Sequence, residues 1–338
     1  MHVFSMPSGS SQNTHILTGF RNDAQQQLFR HSSPRHGQHA KFLHAIIASP
    51  KRLGPMVKSC ILRMSYQSQG SSEMVLIRDA AAAALPLMCN LTTLRMTTSI
   101  SSTSFYIPAL LHCSSQLDVF EFGTFKGWAM VDPLLFEFLR NQPSLRHLTI
   151  HGYPDASIRN EIFRDDPKWC PNVVSLGAIE GVIDIFLAQH RHIEYLNLPY
   201  AIGTSGSSPL SSVKYLTILN FNDKRTCSYL RRMTSLVLLD VVYLKCLDIS
   251  DMVYFLDSAP HLRHLILTKL FEETASGQSA LKEARSAFSL RPTLMHVDIS
   301  RSLHPQKSFD RFYAPEDSGE MRRSILPQED VYAWNKFV

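Results

Sequence analysis

The sequence predicts an α/β solenoid, in which strand–loop–helix units repeat along the chain and build one parallel sheet. Three observations predict it: an apolar template recurs, turn-forming residues precede its copies, and segments with helical spacing separate the copies. The composition is compatible with this fold, because 44% of the 338 residues are hydrophobic and 19% are charged. That is enough apolar material for a large core.

The strands are predicted by the template. It consists of an apolar residue, two residues of any type, a second apolar residue, one residue of any type and a third apolar residue. Copies of it start at intervals of 20 to 32 residues, and a weaker copy around Cys60 precedes them. We expect the middle apolar residue of each copy to point into the core. These middle residues are Leu94, Phe120, Leu148, Leu176, Leu196, Leu216, Leu239, Leu265 and Val297.

Proline marks where several of these strands begin. Pro143, Pro171, Pro260 and Pro292 each stand two residues before the first apolar position of a copy. Because proline cannot continue the hydrogen-bond ladder of a helix, it ends the preceding helix and starts an extended segment. Chance alone also produces the apolar triplet, so this context is what makes the repeat specific.

The helices are predicted by apolar residues at helical spacing between the strands. Residues 132–140, for example, place Leu135, Phe138 and Leu139 on one face, after a favourable Asp-Pro start. A single strand–helix unit cannot bury its apolar strand face alone, so the units must stack. The predicted helices cover residues 73–88, 105–112, 132–140, 158–165, 181–189, 226–233, 249–257 and 278–288.

The strand segments NLTTLRM (90–96), PSLRHLTI (143–150), HIEYLNL (192–198) and PHLRHLIL (260–267) resemble the strand signatures of leucine-rich repeats. The irregular copies and the lead-in KFLHAIIASPKRLGPMVKSCIL (41–62) resemble the repeat region of fungal F-box-type proteins. The resemblance implies a leucine-rich-repeat solenoid, with a curved parallel sheet on the concave side and helices on the convex side. It also implies a role as the substrate receptor of a ubiquitin ligase.

Two features depart from the resemblance. The segment 1–40 contains no recognisable F-box. The asparagine that usually closes each repeat strand is also absent, so we expect irregular repeats. The residues that stand in its place are Ser99, Phe125, Tyr153, Ala201, Phe221 and Leu244.

The chain divides into three predicted parts. Residues 1–40 are rich in Ser, Gln, Asn and His and are expected to be disordered. Residues 41–300 form the repeat domain. Residues 301–338 are a tail or a cap, whose aromatic residues cover the apolar end of the last repeat. The alternative is that this tail docks on a partner or folds back onto the concave face.

The candidate site follows from strand alternation, because the residues between the apolar positions face outward and line up in rows across the sheet. Aromatic, imidazole and charged groups together favour protein binding, since aromatics supply contact area and charges select the partner. Apolar residues at the outward positions 119, 238 and 266 also favour a binding patch. The predicted protein-binding residues of the concave face are Arg95, Glu121, His147, Tyr195, Tyr215, Asp240, His264 and Asp298, flanked by Thr93, Thr97, Thr149 and Asn197.

Other classes of function lack their sequence signals. The Gly- and Ser-rich segment 203–208 has neither the lysine of a phosphate-binding loop nor the pattern of a nucleophile elbow. We therefore predict no enzyme, catalytic residue, cofactor or metal. The net charge of +5 is spread along the chain, so no nucleic-acid partner is predicted. Without a membrane-spanning stretch or a secretory signal, no membrane association is predicted, and a cytoplasmic or nuclear location is expected.

The sequence thus predicts a protein–protein recognition scaffold. The leading interpretation is the substrate-receptor part of an F-box-like ubiquitin ligase, with a protein substrate on the concave face and a cullin-ligase adaptor as a further candidate partner. Two alternatives stay open. One is a leucine-rich-repeat regulator that binds an enzyme directly, and the other is a truncated remnant that has lost its F-box and has no ligase role.

Overall fold

The structure is a computed structural model of the chain. It describes residues 23, 25–34, 38–64, 71–98, 107–124, 130–154, 170–179, 182, 183, 186, 192–198, 210–219, 230–243, 249–269, 277–301, 308–315 and 320–333.

Strands and helices alternate along most of the described chain. The strands are β1 (His31–Ser32), β2 (Ser59–Met64), β3 (Thr93–Thr98), β4 (Val119–Thr124), β5 (Met130–Val131), β6 (His147–His151), β7 (Tyr153–Pro154), β8 (Ser175–Ala178), β9 (Tyr195–Leu198), β10 (Tyr215–Leu219), β11 (Leu238–Tyr243), β12 (His264–Lys269), β13 (His296–Ser300), β14 (Ser308–Tyr313) and β15 (Arg323–Pro327). The α-helices are α1 (His39–Ala48), α2 (Pro50–Leu53), α3 (Ser71–Ala84), α4 (Ile107–Leu111), α5 (Leu134–Arg140), α6 (Ile249–Ser258), α7 (Gly277–Leu290) and α8 (Gln328–Val331), with 3₁₀ turns at Gly54–Met56 and Leu85–Leu87.

All strands except β5 and β7 belong to one 13-stranded sheet, in which they follow one another in chain order. Neighbours are parallel from β1 to β13, whereas β14 and β15 continue the sheet in antiparallel orientation. β5 and β7 pair separately. An open parallel sheet with interleaved helices is the α/β solenoid of leucine-rich-repeat type, which confirms the predicted fold class.

The register of the sheet aligns the predicted middle residues. Leu94 lies beside Phe120, which lies beside Leu148, and the alignment continues to Val297. Each of these middle residues is at most 2% exposed and belongs to the main core. The inward orientation predicted from the template is therefore confirmed.

The predicted strand starts coincide with tight turns. The N–H of Leu145 donates to the carbonyl of Gln142, and the N–H of Val173 donates to that of Cys170, so that each turn encloses a proline at its second position. Proline suits this position because its fixed φ matches the turn. The turns are also joined to one another, since Asn172 Nδ2 donates to the carbonyl of Pro143 at 2.9 Å.

The helices follow the predicted spacing. α3, α4, α5, α6 and α7 lie within two residues of predicted starts, which confirms these assignments. The predicted helix 158–165 lies outside the described residues, and 181–189 and 226–233 are described only in part. Among the described residues, no helix combines the length and apolar character needed to cross a bilayer.

Four elements near the N-terminus were not predicted, and the helices α1 and α2 are two of them. Residues 25–30 are helical, and β1 pairs in parallel with the start of β2. Of the positions that replace the strand-closing asparagine, Tyr153 lies in β7, and the other five are outside the described residues.

Candidate protein-binding face

The predicted site residues lie on the face of the sheet opposite the main core, which we call the front face. They form two rows, because one set precedes the buried middle residue of its strand and the other set follows it. The first row contains His147, Tyr195, Tyr215 and His264, and the second row contains Arg95, Glu121, Asp240 and Asp298.

The first row brings aromatic rings of neighbouring strands into contact. The rings of Tyr195 and Tyr215 are stacked, with centroids 4.5 Å apart and an interplanar angle of 7°. Further along the row, the imidazoles of His264 and His296 are hydrogen-bonded, with centroids 4.1 Å apart. Burial lowers the pKa of His264 to about 4, and the nearby groups His296 and Arg311 contribute to this decrease. Burial also lowers the pKa of His296 to about 4.

The second row contains ion pairs. Glu121 lies between two basic groups, 3.7 Å from Arg95 Nε and 3.5 Å from His151 Nε2. Asp298 accepts two hydrogen bonds from Arg311, at 2.7 Å from Nε and 2.6 Å from Nη2. Burial raises the pKa of Asp298, and the two bonds from Arg311 oppose that rise.

Three of the eight predicted binding residues are buried. Asp240 and Asp298 are each 2% exposed, and His147 is 8% exposed. Arg311 covers the carboxylate of Asp298, and Tyr332 hydrogen-bonds to that of Asp240. Burial lowers the pKa of His147 below its usual value. The predicted side of the sheet is right for all three residues, but their expected solvent exposure is wrong.

The exposed part of the front face contains an open depression of about 390 Å³. It holds five of the eight predicted residues, whereas His147, His264 and Asp298 lie outside its lining. The lining residues are Arg95, Glu121, Thr149, His151, Ser175, Gly177, Tyr195, Leu196, Asn197, Tyr215, Thr217 and Asp240.

The depression exists because β8 carries small side chains. Ser175 and Gly177 are the front-face residues of this strand, and Tyr195 stands beside Ser175 on the next strand. A Cβ atom on Gly177 would lie 2.9 Å from Thr149 Oγ1, so even a methyl group would crowd this floor. The tyrosine pair therefore forms one wall of the depression, and Glu121 and His151 lie on the opposite side of β8.

Sequence reasoning missed the floor residues Ser175 and Gly177, and also His151 and Thr217. The small residues at the outward positions of the SLGA strand do indicate the floor of the depression. His151 has a weaker signal, since it follows the apolar triplet, but its contact with Glu121 depends on the register between β4 and β6.

The chemistry of this face is that of hydrogen bonding and aromatic contact. Hydroxyl, amide, carboxylate and guanidinium groups lie around the stacked tyrosines. Within the described part of the chain, no three His, Cys, Asp or Glu residues are arranged to hold a metal ion.

Comparison with known proteins finds a distant structural likeness and no sequence relative. No protein-family model matches the chain, and no curated protein matches it. A solved structure that resembles it is the leucine-rich repeat-containing protein LegL7 from Legionella pneumophila. The match covers 77% of this chain and 97% of that chain, with 14% sequence identity and a TM-score of 0.42. The assignment to the leucine-rich-repeat type therefore depends on the chain's own sheet, register and buried repeat positions.

Proposed function

We propose that this protein is a recognition scaffold that binds a protein partner in the front-face depression. The observation that carries the proposal is the stacked pair Tyr195–Tyr215 beside a floor of small residues. Tyrosines at the centre of an interface supply a large contact area at a small entropic cost. The surrounding groups of both charge signs would select the partner.

The test is affinity capture with the full chain, beside two variants. We expect the double variant Tyr195→Ala with Tyr215→Ala to lower the affinity for the captured partner by at least ~30-fold. The reason is that central aromatic residues contribute ~2 kcal/mol or more to binding. The control is Tyr254→Ala on α6, because Tyr254 is 42% exposed and lies away from the front face. Capture that survives the double variant, or is lost equally with the control, contradicts the proposal.

The narrower proposal is that the scaffold is the substrate receptor of a cullin-type ubiquitin ligase, located in the cytoplasm or nucleus. It is supported by the resemblance of the repeats and of the lead-in 41–62 to fungal F-box-type proteins. The same capture experiment tests it: a ligase adaptor among the captured proteins supports this role. A stoichiometric enzyme without an adaptor favours a direct enzyme regulator, and the absence of any specific partner favours a truncated remnant.

A further inference from the structure

The front face contains a second apolar cluster that is separate from the main core. Its members from the sheet are Leu238 on β11, Ile266 on β12 and Phe309 on β14, which are 5%, 1% and 0% exposed. Leu238 and Ile266 occupy outward positions of the two rows. Apolar residues on the outward face of a sheet need a cover, because exposed apolar area is unfavourable in water. We call these three residues the apolar patch.

The cover is the chain's own C-terminal segment, residues 328–332. After β15 the chain turns at Pro327 into α8, which brings Val331 onto the apolar patch, where it is 3% exposed. The ring of Tyr332 then meets the ring of Phe309 edge-on, with centroids 5.7 Å apart. An aliphatic side chain and the aromatic side chain that follows it in sequence therefore cover the apolar patch.

Polar contacts fix the orientation of Tyr332. Its hydroxyl group lies 3.1 Å from Thr268 Oγ1 and also hydrogen-bonds to the carboxylate of Asp240. Asp240 is in addition a lining residue of the depression, so the C-terminal segment ends at the rim of the proposed partner site. The apolar patch and the depression thus form adjacent halves of one surface.

One acidic residue of the segment lies near a basic group of the sheet. Glu329 and Asp330 precede the buried valine, and the charge of Asp330 acts on the nearby guanidinium of Arg311. A helix of four residues has little stability of its own, since helix nucleation is unfavourable and short helices depend on tertiary contacts. The segment is held by the patch, and it has the size and chemistry of a short bound peptide.

We infer that the apolar patch is a docking surface for a short acidic segment of a partner that carries an aliphatic residue followed by an aromatic one. The chain's own residues 328–332 are its resident occupant, and a partner segment binds by displacing them. This inference deepens the proposed function and rests on it, because the partner that supplies the segment is the protein bound in the adjacent depression.

A tethered segment competes strongly with any peptide added from solution, because tethering gives it an effective concentration in the ~mM range. The experiment therefore disables the tether first. The receptor is the full chain with Val331→Asp and Tyr332→Ala, and the probe is a fluorescent peptide with the sequence of residues 327–333, PQEDVYA. Fluorescence anisotropy then measures the affinity of the probe for the receptor and for the unchanged chain.

We expect the double variant to bind the probe at least tenfold more tightly than the unchanged chain does. Adding Ile266→Ser to the variant should abolish that gain. The matched control is Ile325→Asp, which introduces the same charge on the preceding strand β15, at a residue that is 57% exposed. This control should bind the probe as weakly as the unchanged chain.

Equal binding by the variant and the unchanged chain, or a gain that persists with Ile266→Ser, overturns the inference. Hydrogen exchange on the double variant is the second measurement. The backbone amides of strands β3 to β13 should keep their protection from exchange. Loss of that protection would mean that the segment stabilises the core, and it would also overturn the inference. Because the probe experiment needs no partner, its failure leaves the effect of Tyr195→Ala with Tyr215→Ala on capture as a separate test of the proposed function.

Discussion

Leu148 and Thr149 are consecutive residues of β6 that point to opposite faces of the sheet, and they offer a matched test of the register. Leu148 is 1% exposed and lies between Phe120 and Leu176 of the neighbouring strands. Replacing it by Ala leaves a cavity that the flanking strands cannot fill. We expect a loss of ~3 kcal/mol in the free energy of unfolding, within the range for buried Leu→Ala changes.

Thr149 lines the open depression, so Thr149→Ala should cost less than ~0.5 kcal/mol. Thermal unfolding followed by circular dichroism separates the two variants. Taking ~2.1 cal/mol/K of unfolding entropy per residue, the Leu148 variant should melt ~4 °C below the parent chain. Equal shifts for the two variants would contradict the burial of Leu148, and a larger shift for Thr149→Ala would mean that the two faces of the strand are exchanged.

Three further predictions concern other parts of the sheet. Gly123→Ala should destabilise the fold by ~2 kcal/mol or more, because φ is +134° there and the new Cβ would lie 2.0 Å from a backbone oxygen of the neighbouring strand. Its denaturant midpoint measures the loss. Stability should decline as the pH falls from about 6.5 to about 4, because His264 and His296 stay neutral in the fold while unfolded histidines take up protons. The variant with both histidines replaced by Asn should lose less stability over this range, as read from melting curves at each pH. Arg311→Gln should cost ~3 kcal/mol, because it leaves the carboxylate of Asp298 buried without its guanidinium partner, and a urea titration measures that loss.

Each of these three changes has a matched control. Gly177→Ala meets only the side chain of Thr149, which can move, so a loss as large as that of Gly123→Ala would contradict the backbone argument. His112→Asn alters an exposed side chain outside both rows, and its melting curves should change with pH as those of the parent do. Arg78→Gln removes an exposed ion pair with Asp79 and should cost almost nothing. Should Arg311→Gln behave like Arg78→Gln, Asp298 does not depend on its partner.

Local patterns were sufficient to predict the repeat units. Leu94, Leu148 and Leu265 were placed in the core from their spacing alone, because strand alternation is a property of consecutive residues. The proline positions likewise predicted the starts of strands, since proline restricts its own backbone wherever it stands. α5 and α6 followed from apolar spacing within single segments.

The candidate site was predicted less completely. Asp240 was placed on the correct face, yet its burial depends on Tyr332, which is far away in the sequence. The stacking of Tyr195 on Tyr215 was also not predicted, because it requires the register between two strands that a long segment separates. The depression beside them depends in the same way on small residues of a third strand.

The sequence by itself determined the repeating unit and the face to which each strand residue points, because both are set by neighbours within a few positions along the chain. Only the tertiary structure decided which outward residues meet one another and which are covered. Pairing across strands and the return of Val331 to the sheet join residues that are distant in the chain, and no local spacing encodes such contacts.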